Sequence, residues 1–95
     1  MNRTHDDIRE RVIARDGGVC LNCGGYAHHV HHIVHRGQAP DHLIWDERNM
    51  ICLCTQCHEK ANGAAAKCRH LRLLAERYHY TYEEQPWIGL LQFLN

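Results

Sequence analysis

Two adjacent histidines, His31 and His32, stand upstream of Asn49 and of the run Cys54-Thr55-Gln56-Cys57-His58-Glu59-Lys60-Ala61-Asn62. A neutral imidazole titrates near working pH, so it can take a proton from water or bind a divalent ion. The CxxC pairs Cys20/Cys23 and Cys54/Cys57 have the spacing of a metal knuckle. Four thiolates satisfy Zn²⁺ tetrahedrally, and such a closed shell holds structure rather than performing catalysis. Six cysteines could instead form three disulfides in a secreted chain. The polar residues Met1 to Asp7 show no apolar run like a signal peptide, which together with the CxxC spacing favours zinc in a reducing compartment. A rival wiring replaces one cysteine by a histidine from the His28 to His35 cluster. Cys52 and Cys68 are then left over as small buried apolar residues.

These groups need elements to position them, and 95 residues allow one domain. With one Phe and two Trp the aromatic core is thin, so a metal that adds folding energy is expected. Thr4 with Asp6 and Asp7 after it reads as a helix N-cap. Ile8 and Val12 share a face, and Asp16-Gly17-Gly18 stops that helix just before the first knuckle. Residues 27–35 alternate as a strand, with His32 on one side and His31 on the other. Residues 36–41 read as a loop, and 42–49 as irregular chain from which Leu43, Ile44 and Trp45 fold back. Met50 to Leu53 forms a second strand. The second knuckle opens a helix from Thr55 to Asn62, ended by Gly63. A longer helix from about Ala64 to Tyr80 buries a stripe through Cys68, Leu71, Ala75 and Tyr78. The tail, Trp87 to Leu94, is apolar enough to pack back or to serve as a handle for a partner.

The set CxxCG (Cys20 to Gly24), His31-His32-Ile33, Asn49 and Leu53-Cys54-Thr55-Gln56-Cys57-His58 resembles the HNH endonuclease family, also called His-Me finger or ββα-metal nucleases. The resemblance covers residues 8–63. It implies an α+β fold: a small ββα-metal core with a structural Cys₄ zinc site of Cys20, Cys23, Cys54 and Cys57, flanked by N- and C-terminal helices. It implies a single HNH nuclease domain over 1–95, with the core at about 8–63 and a helical extension at about 64–95. The implied activity is metal-dependent hydrolysis of DNA phosphodiester bonds, by nicking or double-strand cleavage with little sequence specificity. By resemblance His32 is the general base, and Asn49 fixes the loop that orients it. His31 and His58 are the implied ligands of a replaceable divalent ion, Mg²⁺ or Mn²⁺, with Ni²⁺, Co²⁺ or Zn²⁺ as further options through the imidazoles. Asn62 departs from the pattern, because many members carry a second histidine there; its carbonyl oxygen is a weaker ligand for soft metals.

The formal net charge is zero, which suits modest, salt-sensitive DNA affinity. Charge is nevertheless uneven: Lys60, Lys67, Arg69, Arg72 and Arg77 face only Glu76 between positions 60 and 77. With Arg36, the residues Lys60, Lys67, Arg69 and Arg72 are the candidate phosphate contacts; a solvated helix face is the plainer reading of the same charges. The expected partners are DNA and a protein such as a phage packaging component, with no membrane span. The chain is expected as a monomer or weak dimer in the cytoplasm of a bacterial host. The alternative function is a non-catalytic, zinc-stabilised DNA-binding or interaction module.

Overall fold

Hydrophobic alternation and helical spacing place the elements close to where the sequence predicts them. The computed structural model describes residues 3–35 and 41–80. Helix α1 runs Arg3–Asp16, strand β1 His29–His32, the short helix α2 Asp41–Ile44, and strand β2 Met50–Leu53. Helices α3, Thr55–Glu59, and α4, Ala64–Tyr78, follow. The result is the α+β arrangement expected, a hairpin and a following helix flanked by α1 and α4. Arg36 and the tail from Trp87 to Leu94 lie outside the described residues. Among those described, no helix is long and apolar enough to cross a membrane.

β1 and β2 pair antiparallel in the register His29↔Leu53, Val30↔Cys52, His31↔Ile51 and His32↔Met50. All four residues of β2 are buried. Side chains alternate across a strand, so β2 feeds two cores. Ile51 and Leu53 join Cys20, Ile33, Ile44, Ala61, Leu71 and Leu74 on the α3 and α4 side. Met50 and Cys52 pack with Val12 and partly buried Ile8, Ala27 and Val30 on the α1 side. The central strand is therefore sandwiched, and β1 presents one face to each layer.

Four local expectations need correction. Thr4 lies inside α1, which already begins at Arg3. The stop at Gly17 and Gly18 is as expected: at φ +69° and +70° they reverse the chain before Cys20. The knuckle then closes as a small hairpin with a Val19↔Tyr26 bridge. The first strand spans four residues rather than nine, because Ile33 and Val34 leave the ladder to bond Asn49. Residues 42–49 are not irregular; α2 is followed by a 3₁₀ turn, Glu47–Asn49, capped by Asp46 accepting from the Arg48 N–H. Helix α3 stops at Glu59 instead of reaching Asn62, and Gly63 becomes the N-cap of α4.

A buried ion pair at the end of α1 ties these parts together. Asp16, 3 % exposed, accepts from Arg15 Nε at 2.8 Å, from the Cys52 N–H of β2 at 3.0 Å and from the Tyr78 hydroxyl of α4. Arg15 in turn donates to the carbonyls of Glu47 at 2.7 Å and Met50 at 2.6 Å. Removing the carboxylate leaves a buried guanidinium and a strand N–H uncompensated. Asp16→Ala is expected to lower stability by about 3–5 kcal/mol, read as a shift in the urea midpoint at unchanged slope.

Candidate metal centre and catalytic cleft

The four knuckle cysteines converge. Their sulfur atoms all lie within 4.8 Å of one another, and they can hold a metal ion such as zinc. Local backbone makes this possible. Cys20 N–H donates to the Gly25 carbonyl and Gly24 N–H to the Cys20 carbonyl, both at 2.8 Å, folding the first knuckle. Leu21 N–H donates to the Cys52 carbonyl at 3.1 Å, which lays that knuckle beside β2. Cys54 is the N-cap of α3, and its sulfur accepts from the Cys57 N–H at 3.4 Å. Asn22 Nδ2 donates to Cys57 Sγ at 3.3 Å across the two knuckles.

The thiols also carry the electrostatic mark of a shared site. Burial pushes Cys20 up, but N–H donors of Cys54, Cys23 and Asn22 outweigh it and bring it down to about 7. For Cys57 the Asn22 bond acts downward, yet burial and the other three thiols push it up to about 12. The Cys20 thiolate forms readily while Cys23 and Cys57 resist, which is the situation a divalent cation relieves. Cys52 stands apart: burial and the nearby Asp16 push it up to about 12, in keeping with a buried apolar residue. The rival wiring through a histidine is not needed, since all four sulfurs are in place.

The second constellation lies on the hairpin. His31, His32, His35, His58, Asn62 and Val30 line one open cleft of about 370 Å³. Strand alternation separates the two neighbours in it. His31 turns to the α3 and α4 side, its ring 5.2 Å from His58 and 6.2 Å from His70. His32 turns to the α1 side, edge-on to Trp45 at 4.5 Å. Trp45 itself stacks on His5 of α1 at 3.8 Å and 3°, so the helix reaches β1 through two rings.

Asn49 is fully buried and spans the loop after His32. Its Oδ1 accepts from the Val34 N–H at 2.9 Å, and its Nδ2 donates to the carbonyls of Val34 at 3.1 Å and Ile44 at 3.0 Å. The Ile33 N–H donates to the Asn49 carbonyl at 2.9 Å. Both residues following His32 are thus fixed by one asparagine.

His31 fits a metal ligand. It is 6 % exposed, and its Nε2 is buried without a hydrogen-bond partner. Burial, then the neighbouring His58, His35, His70 and His32, lowers its pKa to about 3, so at neutral pH the ring is neutral and offers a lone pair. Burial likewise lowers His58, with His29 adding to the effect and Glu59 opposing it. Asn62 lies in the turn after α3, so the shared helix face expected for His58 and Asn62 does not form, although both reach the cleft. Among the described residues only the four cysteines bring potential ligand atoms within 4.8 Å of one another.

Sequence reasoning missed two contributors. His70, 1 % exposed on α4, has a buried Nδ1 without a partner, and burial together with Arg69 lowers its pKa to about 4. His29 stacks flat on His58 at 4.3 Å and 14° and meets the Thr55 hydroxyl at 3.3 Å. A helix-period count from Leu71 and Leu74 would have put His70 on the buried face. The candidate phosphate contacts separate. Lys67 donates to the Ile33 carbonyl at 3.3 Å beside the cleft, and Lys60 is exposed after α3. Arg69 and Arg72 line a different groove with Cys68 and Glu76.

A two-stranded hairpin and a helix, cross-tied by four thiols and carrying histidines on β1 and α3, define a small ββα-metal fold. Residues 18–63 match the family model described as HNH endonuclease, so both knuckles, the hairpin and α3 form an HNH-family segment. No curated protein and no solved structure matches the chain.

Two outcomes are expected. Stripping metal with a strong chelator, or Cys57→Ser, should abolish the cooperative thermal transition, because metal binding in so small a core is folding energy; calorimetry with zinc added back checks it. For pH, a folded pKa of about 4 for His70 against about 6.5 unfolded means the unfolded chain takes up protons that the native state refuses. The contribution is complete above about pH 6.5 and is lost as pH falls toward 4. Between pH 6.5 and 5 wild type should lose about 2 kcal/mol more than His70→Leu, measured by urea unfolding.

Proposed function

We propose that this protein is a metal-dependent DNA endonuclease, acting on phosphodiester bonds with little sequence preference of its own. The observation that carries the reading is the cleft in which His31, His32 and His58 meet while Asn49 fixes the backbone behind His32.

In this reading His32 takes the proton from the attacking water. It lines the cleft, and Trp45 stands edge-on against its ring. His31 and His58, with Asn62 nearby, would hold a divalent ion, Mg²⁺ or Mn²⁺ or a softer ion favoured by imidazole. Such an ion supplies Lewis-acid stabilisation of charge on the phosphoryl group and the leaving oxygen. Asn49 touches only main chain and acts by positioning. The family resemblance supports 3′-hydroxyl and 5′-phosphate products. Lys67 beside the cleft and exposed Lys60 would contact flanking phosphates; Arg69 and Arg72 would serve a more distant stretch of backbone, and Arg36 is a further candidate. Backbone contacts position a duplex without reading its sequence. The whole chain would act as one unit, with α4 as its helical extension, in the cytoplasm of a bacterial host. A protein partner such as a phage packaging component would supply what a neutral chain lacks in DNA affinity.

The experiment is plasmid nicking over a panel of Mg²⁺, Mn²⁺, Co²⁺ and Ni²⁺. Wild type should nick with at least one ion, and His32→Ala should lose about 10²–10⁴-fold in rate while retaining its circular dichroism. Failure of pure wild type with every ion would leave a non-catalytic DNA-binding module.

A further inference from the structure

His29, His31, His35, His58 and His70 form one histidine cluster around the cleft, and their ring geometry sorts them. Two imidazoles bound to one tetrahedral ion have ring centres about 5 Å apart, given metal–nitrogen bonds of about 2.1 Å. Their lone pairs must also converge, which stacked parallel rings cannot achieve. His29 and His58 are stacked at 14°, so His29 backs the His58 ring rather than sharing an ion with it. His70 is farther from His31, at 6.2 Å, and does not line the cleft.

His35 meets the distance condition and is not stacked on its neighbour. Its ring lies 5.4 Å from His31 at 89°, and His58 lies 5.2 Å from His31 at 84°. All three line the same cleft. Asn62, the weak oxygen donor, lines that cleft too. We propose that His35, three residues beyond the base on the same stretch of chain, is the third imidazole ligand of the cleft's divalent ion and replaces the histidine that Asn62 lacks.

This rests on the metal-dependent nuclease reading and extends it: the ligand set becomes His31, His35 and His58. As they stand the three rings do not form a converged ligand group among the described residues, so binding would require them to rotate about their side-chain bonds. A three-imidazole set favours Co²⁺, Ni²⁺ or Zn²⁺ over Mg²⁺, so the softer ions should be held most tightly. Backbone geometry favours the arrangement. Asn49 holds Ile33 and Val34 in place, leaving His35 as the next side chain at the rim.

Co²⁺ alone, titrated into the zinc-loaded full chain, tests this by calorimetry and by the visible d–d absorption of the second ion. Loss of an outer-shell partner weakens metal binding about 10–100-fold. His35→Ala and His35→Gln should exceed that, matching His58→Ala, while His70→Ala should stay within it. Asn62→His in the His35→Ala background should restore at least about tenfold in affinity. Circular dichroism confirms folding, and His35→Gln serves should the alanine variant fail. Wild-type affinity in a folded His35 variant overturns the His35 assignment and leaves the nuclease reading standing. Absence of any second Co²⁺ site in wild type overturns the three-imidazole set, while failure of the nicking panel with every ion is what overturns the nuclease reading.

Discussion

The convergence of four sulfur atoms is the constraint on which the rest of this small protein depends. Cys20 and Cys23 sit on a hairpin after α1, Cys54 and Cys57 on the junction of β2 and α3. The first knuckle meets α3 and its cap through the Asn22 bond to Cys57, the Cys23–Cys54 sulfur contact and the core in which Cys20 packs with Cys54 and Cys57. With the sulfurs drawn together, α3 is held beside β1 and His58 comes over the hairpin. Without that tie α3, five residues long, has no means of persisting by itself. The two constellations are thus coupled in order: the closed cysteine cluster builds the frame from which the open histidine cleft hangs.

Alternation along β1 then divides the labour. His29 and His31 belong to the α3 and α4 layer and His32 to the α1 layer, as their partners Leu53, Ile51 and Met50 require. Two neighbouring imidazoles consequently meet different surroundings. His31 is buried among other histidines and stays neutral. His32 stands against Trp45, with the cleft before it. One strand of four residues therefore furnishes two chemical environments without any change in residue type.

Much of this was legible in the residues. The knuckles, the turn of Gly17-Gly18, the bounds of β2 and the opposite facing of His31 and His32 all follow from spacing and period. The family resemblance pointed to Asn49, which bonds the main chain of Val34 and Ile44. What was not legible depended on contacts distant in sequence. The reach of α3 was overestimated because the bonds from Lys60 N–H to Cys57 and Ala61 N–H to His58 tighten into a turn after Glu59, and no residue type announces that. His70 and His35 were passed over because ten histidines dilute the signal of any one. Only folding shows which of them surround His31. The role of Asp16 was likewise hidden: in sequence it reads as a helix end, while in space it joins β2 and α4.

The bonds of Asn49 go to main chain, and this has a consequence for how such a domain can diverge. An amide that recognises the N–H and carbonyl of Val34 and the carbonyl of Ile44 places no demand on what those residues carry, beyond an apolar group that fills the core. The polar half of the loop's wiring is invisible to point substitution at 34 and 44, and is concentrated in position 49. Drift across lineages should therefore be broad among apolar types at the two receiving positions and narrow at the one that grips them. An insertion between 44 and 49 should be far less welcome than any exchange of side chains there.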